Sequence, residues 1–207
     1  MGYCRQGCQR TRWPASGRWC CRCRLPASLI RYSDPLLVYA NVRRALETGF
    51  CSLKLHEIEL PAIRAAREEA GPDVELTLDV NCARILSEAR TRAEELKEFH
   101  LKWLEEPMWP PENYDGLAQL RRTSGISIAA RAENASTLKE LDRLVGAGAV
   151  DFVQPSVAKM GDVTELCKVF PIAAVHNVTL MPHVLRRARP VGCDPGDGRA
   201  GDCGRND

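Results

Sequence analysis

The sequence lacks three features that would each indicate a particular class of protein. No apolar run approaches the roughly 20 residues of a transmembrane helix, so we expect no membrane partner. The 29 basic and 27 acidic side chains nearly cancel, whereas a nucleic-acid partner would call for a basic face. No G-x-G-x-x-G follows an apolar run, which removes the usual dinucleotide-binding signature. An ordinary soluble domain remains, and 207 residues are enough to bury a core.

Acidic residues are missing from the first 33 positions, and Asp34 is the first Asp or Glu of the chain. The same segment holds five of the ten cysteines, and residues 184–207 are rich in Arg and Gly without an apolar period. No pair of C-x-x-C motifs indicates zinc, and the Arg-rich start lacks the amphipathic helix of a targeting segment. We expect residues 1–24 and 184–207 to be disordered or read in a shifted frame, with zinc binding or targeting as alternatives.

The middle of the chain alternates short apolar runs with longer amphipathic stretches, about every 25 residues. Strands are predicted in "LPASLIR", "FCSLKLH", "VELTLDVN", "LKWLEEP", "ISIAA", "AVDFVQP" and "VTLMPH", with helices between them. Such a pattern is typical of parallel strands joined by crossover helices, as in a doubly wound sheet or a (β/α)₈ barrel. Seven strands are one short of a closed barrel. The sequence therefore predicts an α/β fold that is an incomplete TIM-type barrel over residues 25–183.

Polar residues stand at the carboxyl ends of these predicted strands, which is where barrels place their active sites. They are Lys54, His56, Asp79, Asn81, Glu105, Glu106, Glu133, Asn134, Ser156 and His183. Asp79, Glu105 and Glu133 follow three consecutive strands, so they can converge on one point. Three converging carboxylates need a counter-ion, and oxygen ligands suit a hard cation such as Mg²⁺. We expect a Mg²⁺ site there, with Glu106 paired to a neighbouring side chain.

The motifs "LDVN", "WLEEP", "AENAS", "DFVQPSVAKMG" and "VTLMPH" occur in an order that resembles the mandelate racemase/muconate lactonizing branch of the enolase superfamily. This resemblance covers about residues 25–183. It implies a (β/α)₈ barrel that binds Mg²⁺ through Asp79, Glu105 and Glu133. It also implies abstraction of the proton α to a carboxylate, for which a Lys or His base with Mg²⁺ is the general pattern of the superfamily.

The resemblance assigns further residues by position. Lys54 matches the first lysine of a Lys-x-Lys motif, His56 stands at the second, and His183 matches a histidine base on the seventh strand. Positions around the substrate correspond to Asn81, Asn134, Ser156 and Lys159. The implied substrate is a small carboxylate, specifically a sugar acid. A cytoplasmic homo-oligomer is the implied setting.

The sequence departs from the family pattern in ways that affect the expected activity. Ser156 replaces the acid that partners the seventh-strand histidine. This favours dehydration, in which a base acts on one side of the substrate, over racemisation, which needs a base on each side. Arg131 adds a residue before Glu133, and an extra residue can reverse the alternation of a strand. The capping domain and the eighth strand are not recognisable. We therefore expect a Mg²⁺-dependent sugar-acid dehydratase, with an inactive fragment or pseudogene product and a 2-hydroxy-acid racemase or epimerase as the alternatives.

Overall fold

The computed structural model describes residues 26–131 and 134–183. Within these ranges there are seven parallel strands, and each strand except the last is followed by helical structure. The strands are β1 Ala27–Ser28, β2 Ser52–Leu55, β3 Glu75–Asp79, β4 Leu104–Glu105, β5 Ile128–Arg131, β6 Phe152–Gln154 and β7 Thr179–Leu180. The helices are α1 Pro35–Glu47, α2 Leu60–Ala70, α3 Leu86–Leu96, α4 Tyr114–Ser124, α5 Leu138–Gly146, α6 Val157–Met160 and α7 Val163–Val175. A 3₁₀ turn, Lys97–Phe99, extends α3.

The strands form one sheet in chain order, β1 to β7, and every neighbouring pair is parallel. Helices that are near each other in the chain pack in pairs: α1 against α2, α3 against α4, and α5 against α7. Among the described residues the sheet therefore has the order of a barrel that is one strand short. The predicted fold class is confirmed. The two-residue strand β7 is shorter than the "VTLMPH" strand that the sequence suggested.

The core lies between the central strands and their helices. All four residues of β2 are buried, as are Leu76 and Leu78 in β3 and Ile128 in β5. Strands that are buried on both faces are expected in parallel sheets covered by helices. At the last strand the packing is looser, because α7 leaves Phe170 and Val175 exposed.

Sequence-local signals account for the ends of several helices. Asp34 accepts hydrogen bonds from the backbone N–H groups of Leu36 and Leu37, and Pro35 begins α1. Thr137 and Glu140 form a reciprocal capping box at α5. Asp162 caps α7 by accepting a hydrogen bond from the Glu165 N–H. These caps satisfy backbone donors that have no partner inside the helix.

Two sequence predictions concern residues outside the described ranges. The predicted disorder of residues 1–24 and 184–207 lies outside the described residues. Glu133, a predicted Mg²⁺ ligand, also lies outside them. Within the ranges 26–131 and 134–183, no helix is both long enough and apolar enough to cross a membrane.

The cap of α1 provides a stability test. Replacing Asp34 by Ala leaves the N–H groups of Leu36 and Leu37 without their side-chain acceptor. We expect the free energy of unfolding to fall by about 1 kcal/mol, measured by urea denaturation. Asp73→Ala is the matched control, since Asp73 is an exposed acid in the loop before β3. Equal effects of the two substitutions would contradict the capping role.

Candidate metal centre

Two buried carboxylates on neighbouring strands form the centre of the candidate site. The register pairs Asp79, the last residue of β3, with Glu105, the last residue of β4. Both are fully buried. Lys54 on β2 is paired with Thr77, two residues before Asp79, so all three side chains project from the same face of the sheet.

The Lys54 ammonium bridges the two carboxylates. Its Nζ lies 3.0 Å from Oδ2 of Asp79 and 2.5 Å from Oε1 of Glu105. The Lys54 side chain is 11% exposed. Because isolated charges are costly to bury, this bridge compensates two charges that the fold removes from water.

The second oxygen of Glu105 is held by residues that the sequence analysis did not select. Gln154 Nε2 donates to Oε2 at 2.9 Å, and Trp103 Nε1 donates to the same atom at 3.3 Å. Gln154 belongs to the "DFVQP" motif and ends β6, so its position at a strand end was a signal that could have identified it. Together these donors fix the orientation of the Glu105 carboxylate.

His56 approaches the same oxygen of Asp79 as Lys54 does. Its Nε2 is 3.5 Å from Oδ2 of Asp79, and its Nδ1 is 2.7 Å from the carbonyl oxygen of Leu29. A carbonyl oxygen only accepts hydrogen bonds, so this second contact assigns a proton to Nδ1. In neutral His56 the lone pair is therefore on Nε2, the nitrogen that faces the carboxylates.

Arg131, which the sequence analysis considered only as an added residue before Glu133, contacts the carboxylates of the cluster. The register of β5 with β6 is regular through Arg131, which pairs with Gln154. Its guanidinium lies 3.3 Å from Asp79 (Nη1 to Oδ2) and 3.7 Å from Glu105 (Nε to Oε1). It also donates to both oxygens of Glu106, at 3.0 and 3.3 Å. The prediction that Glu106 is paired is confirmed, and its partner is Arg131.

The pKa values of the two central carboxyl groups, Asp79 and Glu105, shift in opposite directions. Burial alone would raise the pKa of Asp79, but contact with His56, which lowers that pKa when Nε2 also carries a proton, and the charges of Lys54 and Arg131 outweigh burial and hold the pKa well below its usual range. Burial and the Asp79 charge raise the pKa of Glu105, against the opposing effect of Lys54. Without a metal ion, the negative charge is therefore held more firmly on Asp79 than on Glu105.

The donor chemistry of this cluster fits a hard divalent cation. Oδ2 of Asp79 is buried and has three nitrogen atoms within 3.5 Å, yet receives no well-aligned hydrogen bond. Carboxylate oxygens such as this one are the ligands that Mg²⁺ prefers. In the part of the chain that the structure describes, no group of three or more acidic, His or Cys side chains is arranged for a metal. The described residues thus supply two of the three predicted ligands.

The remaining predicted site residues are distributed around this cluster. Asn81 is exposed and its backbone N–H donates to Oδ1 of Asp79. Asn134 is buried and donates to the carbonyl oxygen of Pro111. Ser156 and His183 form a parallel bridge, which brings the two residues together at the end of β7. Lys159 is exposed on α6. These placements do not test the predicted roles, which stay predictions.

Comparison with known families gives a match over most of the chain. The sequence model of the family described as enolase C-terminal domain-like matches residues 38–194. The matched range includes every predicted site residue.

Individual relatives agree with this match. The chain is 34% identical to D-galactarolactone cycloisomerase from Agrobacterium fabrum, over 69% of this chain and 38% of the relative. It is 32% identical to L-rhamnonate dehydratase from Saccharopolyspora erythraea, over 72% of this chain and 42% of the relative. A solved structure of a racemase from Streptomyces coelicolor A3(2) with bound magnesium superposes with a TM-score of 0.70 at 27% identity, over 78% of this chain and 50% of that one. The chain thus spans about two fifths of the length of these curated relatives.

Proposed function

Because the chain belongs to the enolase C-terminal domain-like family, we propose that it binds Mg²⁺ and abstracts the proton α to the carboxylate of a sugar acid, leading to dehydration. The observation that carries the proposal is the buried Asp79–Glu105 pair, held in register on adjacent strands with Lys54 between them. The relatives named as a galactarolactone cycloisomerase and a rhamnonate dehydratase support a sugar-acid substrate.

Asp79 and Glu105 would hold the ion, with Glu133 as the third proposed ligand. When bound, Mg²⁺ supplies positive charge that stabilises the second negative charge developing on the substrate carboxylate. Gln154 and Trp103 keep Glu105 oriented through its other oxygen. Such outer contacts matter because they fix a ligand in place before the ion arrives.

Lys54 and His56 are the candidate proton acceptors on one side of the site. Lys54 lies directly at the two carboxylates. His56 presents Nε2 towards them, because Nδ1 is engaged by the Leu29 carbonyl. We assign proton abstraction to Lys54, with His56 as its orienting partner or substitute. A base must reach the α-proton within hydrogen-bonding distance. Lys54 lies in β2 and His56 directly follows this strand.

His183 would act from the opposite side, on the leaving hydroxyl group. In a dehydration the α-proton leaves to the base, the β-hydroxyl leaves as water with a proton from a general acid, and the resulting enol becomes a 2-keto acid. Ser156 is the backbone bridge partner of His183, and it stands where the family pattern has an acid. This neighbour supports one-sided elimination rather than proton transfer at both faces, as a racemase or epimerase would need.

A catalytically inactive chain is the alternative that the same experiment addresses. The discriminating experiment incubates the full chain in D₂O with L-rhamnonate and a panel of other hexonates and hexarates. Each reaction is run with Mg²⁺ and with EDTA and followed by ¹H NMR. We expect Mg²⁺-dependent formation of 2-keto-3-deoxy acids.

Other outcomes select the alternatives. Deuterium at C2 without loss of water would indicate racemisation or epimerisation. Mg²⁺ binding without exchange at C2 in any substrate would indicate a fragment that retains the metal centre but not the reaction. Turnover that is unaffected by EDTA would overturn the metal-dependent proposal.

A further inference from the structure

Arg131 contacts three buried carboxylates at once. Asp79, Glu105 and Glu106 are each fully buried, and the Arg131 guanidinium lies within 3.7 Å of all three. The Arg131 side chain is 14% exposed. Its direction follows from the register, since Glu105 pairs with Ala129 and Arg131 is two residues further along the same strand.

We propose that Arg131 is an internal counter-ion that competes with the divalent cation for Asp79 and Glu105, and that it moves onto Glu106 when the cation binds. This inference rests on the proposed function only for the existence of the metal site. It adds that the affinity of this site is set by an arginine outside the ligand set.

The charges of the described cluster explain why a counter-ion is needed. Three carboxylates face two cationic side chains, Lys54 and Arg131, within the distances already given. A divalent cation at Asp79 and Glu105 would bring two further positive charges to within a few ångströms of the guanidinium. At that separation like charges repel strongly in a site shielded from water. Binding of the cation therefore opposes the contacts of Arg131 with Asp79 and Glu105, and these contacts oppose binding of the cation.

The geometry also gives Arg131 an alternative position. Its contacts with Glu106 are the closest, at 3.0 and 3.3 Å through two different nitrogen atoms. Its contacts with the proposed metal ligands are longer or equal, at 3.3 and 3.7 Å. Two-point pairing of a guanidinium with one carboxylate is a strong arrangement. A small rotation of the head group would thus release Asp79 and Glu105 while Glu106 stays paired.

Lys54 touches the same two carboxylates, but it is the proposed base, so its substitution would alter both binding and chemistry. Arg131 has no assigned part in proton transfer. Its substitution therefore isolates the competition with the cation.

The test measures cation affinity in the full chain, with Mn²⁺ followed by electron paramagnetic resonance and Mg²⁺ by calorimetry. Arg131→Met is expected to bind both ions about tenfold more tightly, a typical size for coupling between two bound groups. In EDTA the same variant should have a lower melting temperature than the parent chain. Saturating Mg²⁺ should raise its melting temperature by more than it raises that of the parent chain. Glu106→Gln should bind the ions more weakly, because Arg131 loses its alternative partner.

Two further variants keep the test decisive. If Arg131→Met alone does not fold, the double variant Arg131→Met with Glu106→Gln takes its place, because it removes both charges of that pair. It should also bind the ions more tightly than the parent chain. Arg121→Met is the matched control, since Arg121 pairs with Asp151 at the opposite end of the strands. That control should leave both affinities unchanged.

The results separate this inference from the proposed function. If the parent chain binds Mg²⁺ and Arg131→Met or the double variant binds it equally or more weakly, the competition is refuted and the metal site stands. If the parent binds no ion but Arg131→Met does, the competition is supported in its strongest form. If no variant binds Mn²⁺ or Mg²⁺, both the metal site and the competition are refuted.

Discussion

Lys54→Met is expected to lower the free energy of unfolding of the chain in EDTA by about 3–5 kcal/mol. Removing one partner of a buried ion pair leaves the other charge uncompensated, and that penalty is typically of this size. Lys54 is the side chain that bridges Asp79 and Glu105, both of which are fully buried. Urea denaturation followed by circular dichroism would measure the change.

The matched control is Lys102→Met. Lys102 pairs with Glu75 at 2.7 Å, but these side chains are 36% and 42% exposed. Exposed pairs contribute about 0–1 kcal/mol, so this control should lose little stability. Saturating Mg²⁺ should return part of the stability lost in Lys54→Met, because a ligand that binds only the folded state stabilises it. A loss for Lys54→Met as small as that of the control would contradict the buried-bridge interpretation.

Asp79→Asn is expected to weaken Mn²⁺ and Mg²⁺ binding by about 100-fold or more. Substitutions among groups that merely support metal ligands already cost about 10–100-fold, and Asp79 is a proposed ligand itself. The amide keeps the size of the side chain and an oxygen that can accept from Asn81 N–H. The loss would therefore report the missing charge. Calorimetric titration of the full chain is the measurement.

Asp151→Asn is the control for the loss of a carboxylate. Asp151 precedes β6 and accepts from Arg121 and from Ile128 N–H, at the amino end of the strands. Its substitution should not change the affinity for either ion. Undiminished binding by Asp79→Asn would mean that the Asp79 cluster is an ion-pair network rather than a metal site.

Several elements of the fold were predictable because they depend on local patterns. Pro35 after Asp34, and Thr137 three residues before Glu140, are capping signals that act within one turn of helix. The order of strands and helices followed from the change of apolar period along the chain. The family resemblance read from the ordered motifs is confirmed by the family match over residues 38–194.

Other features could not be read from local patterns. The direction of the Arg131 side chain is one of them, because the chain alone does not show which residue of β6 Arg131 pairs with. The pairing of Arg131 with Gln154 determines that direction. Gln154 was missed for a related reason, since its contact with Glu105 joins β6 to β4. Trp103 stands only two residues before Glu105, on the same face of the strand, so its contact was a local signal that was overlooked.

The sequence by itself determined the βα order, the helix caps and the presence of acids at consecutive strand ends, because each depends on residues close together in the chain. The tertiary structure alone decided which strand ends share a face and at what distances. Strand register sets that outcome, and a shift of one residue would turn a side chain to the opposite face. Through register, Lys54, Asp79, Glu105 and Arg131 form one buried cluster in which cationic side chains already neutralise the carboxylates proposed to bind the metal.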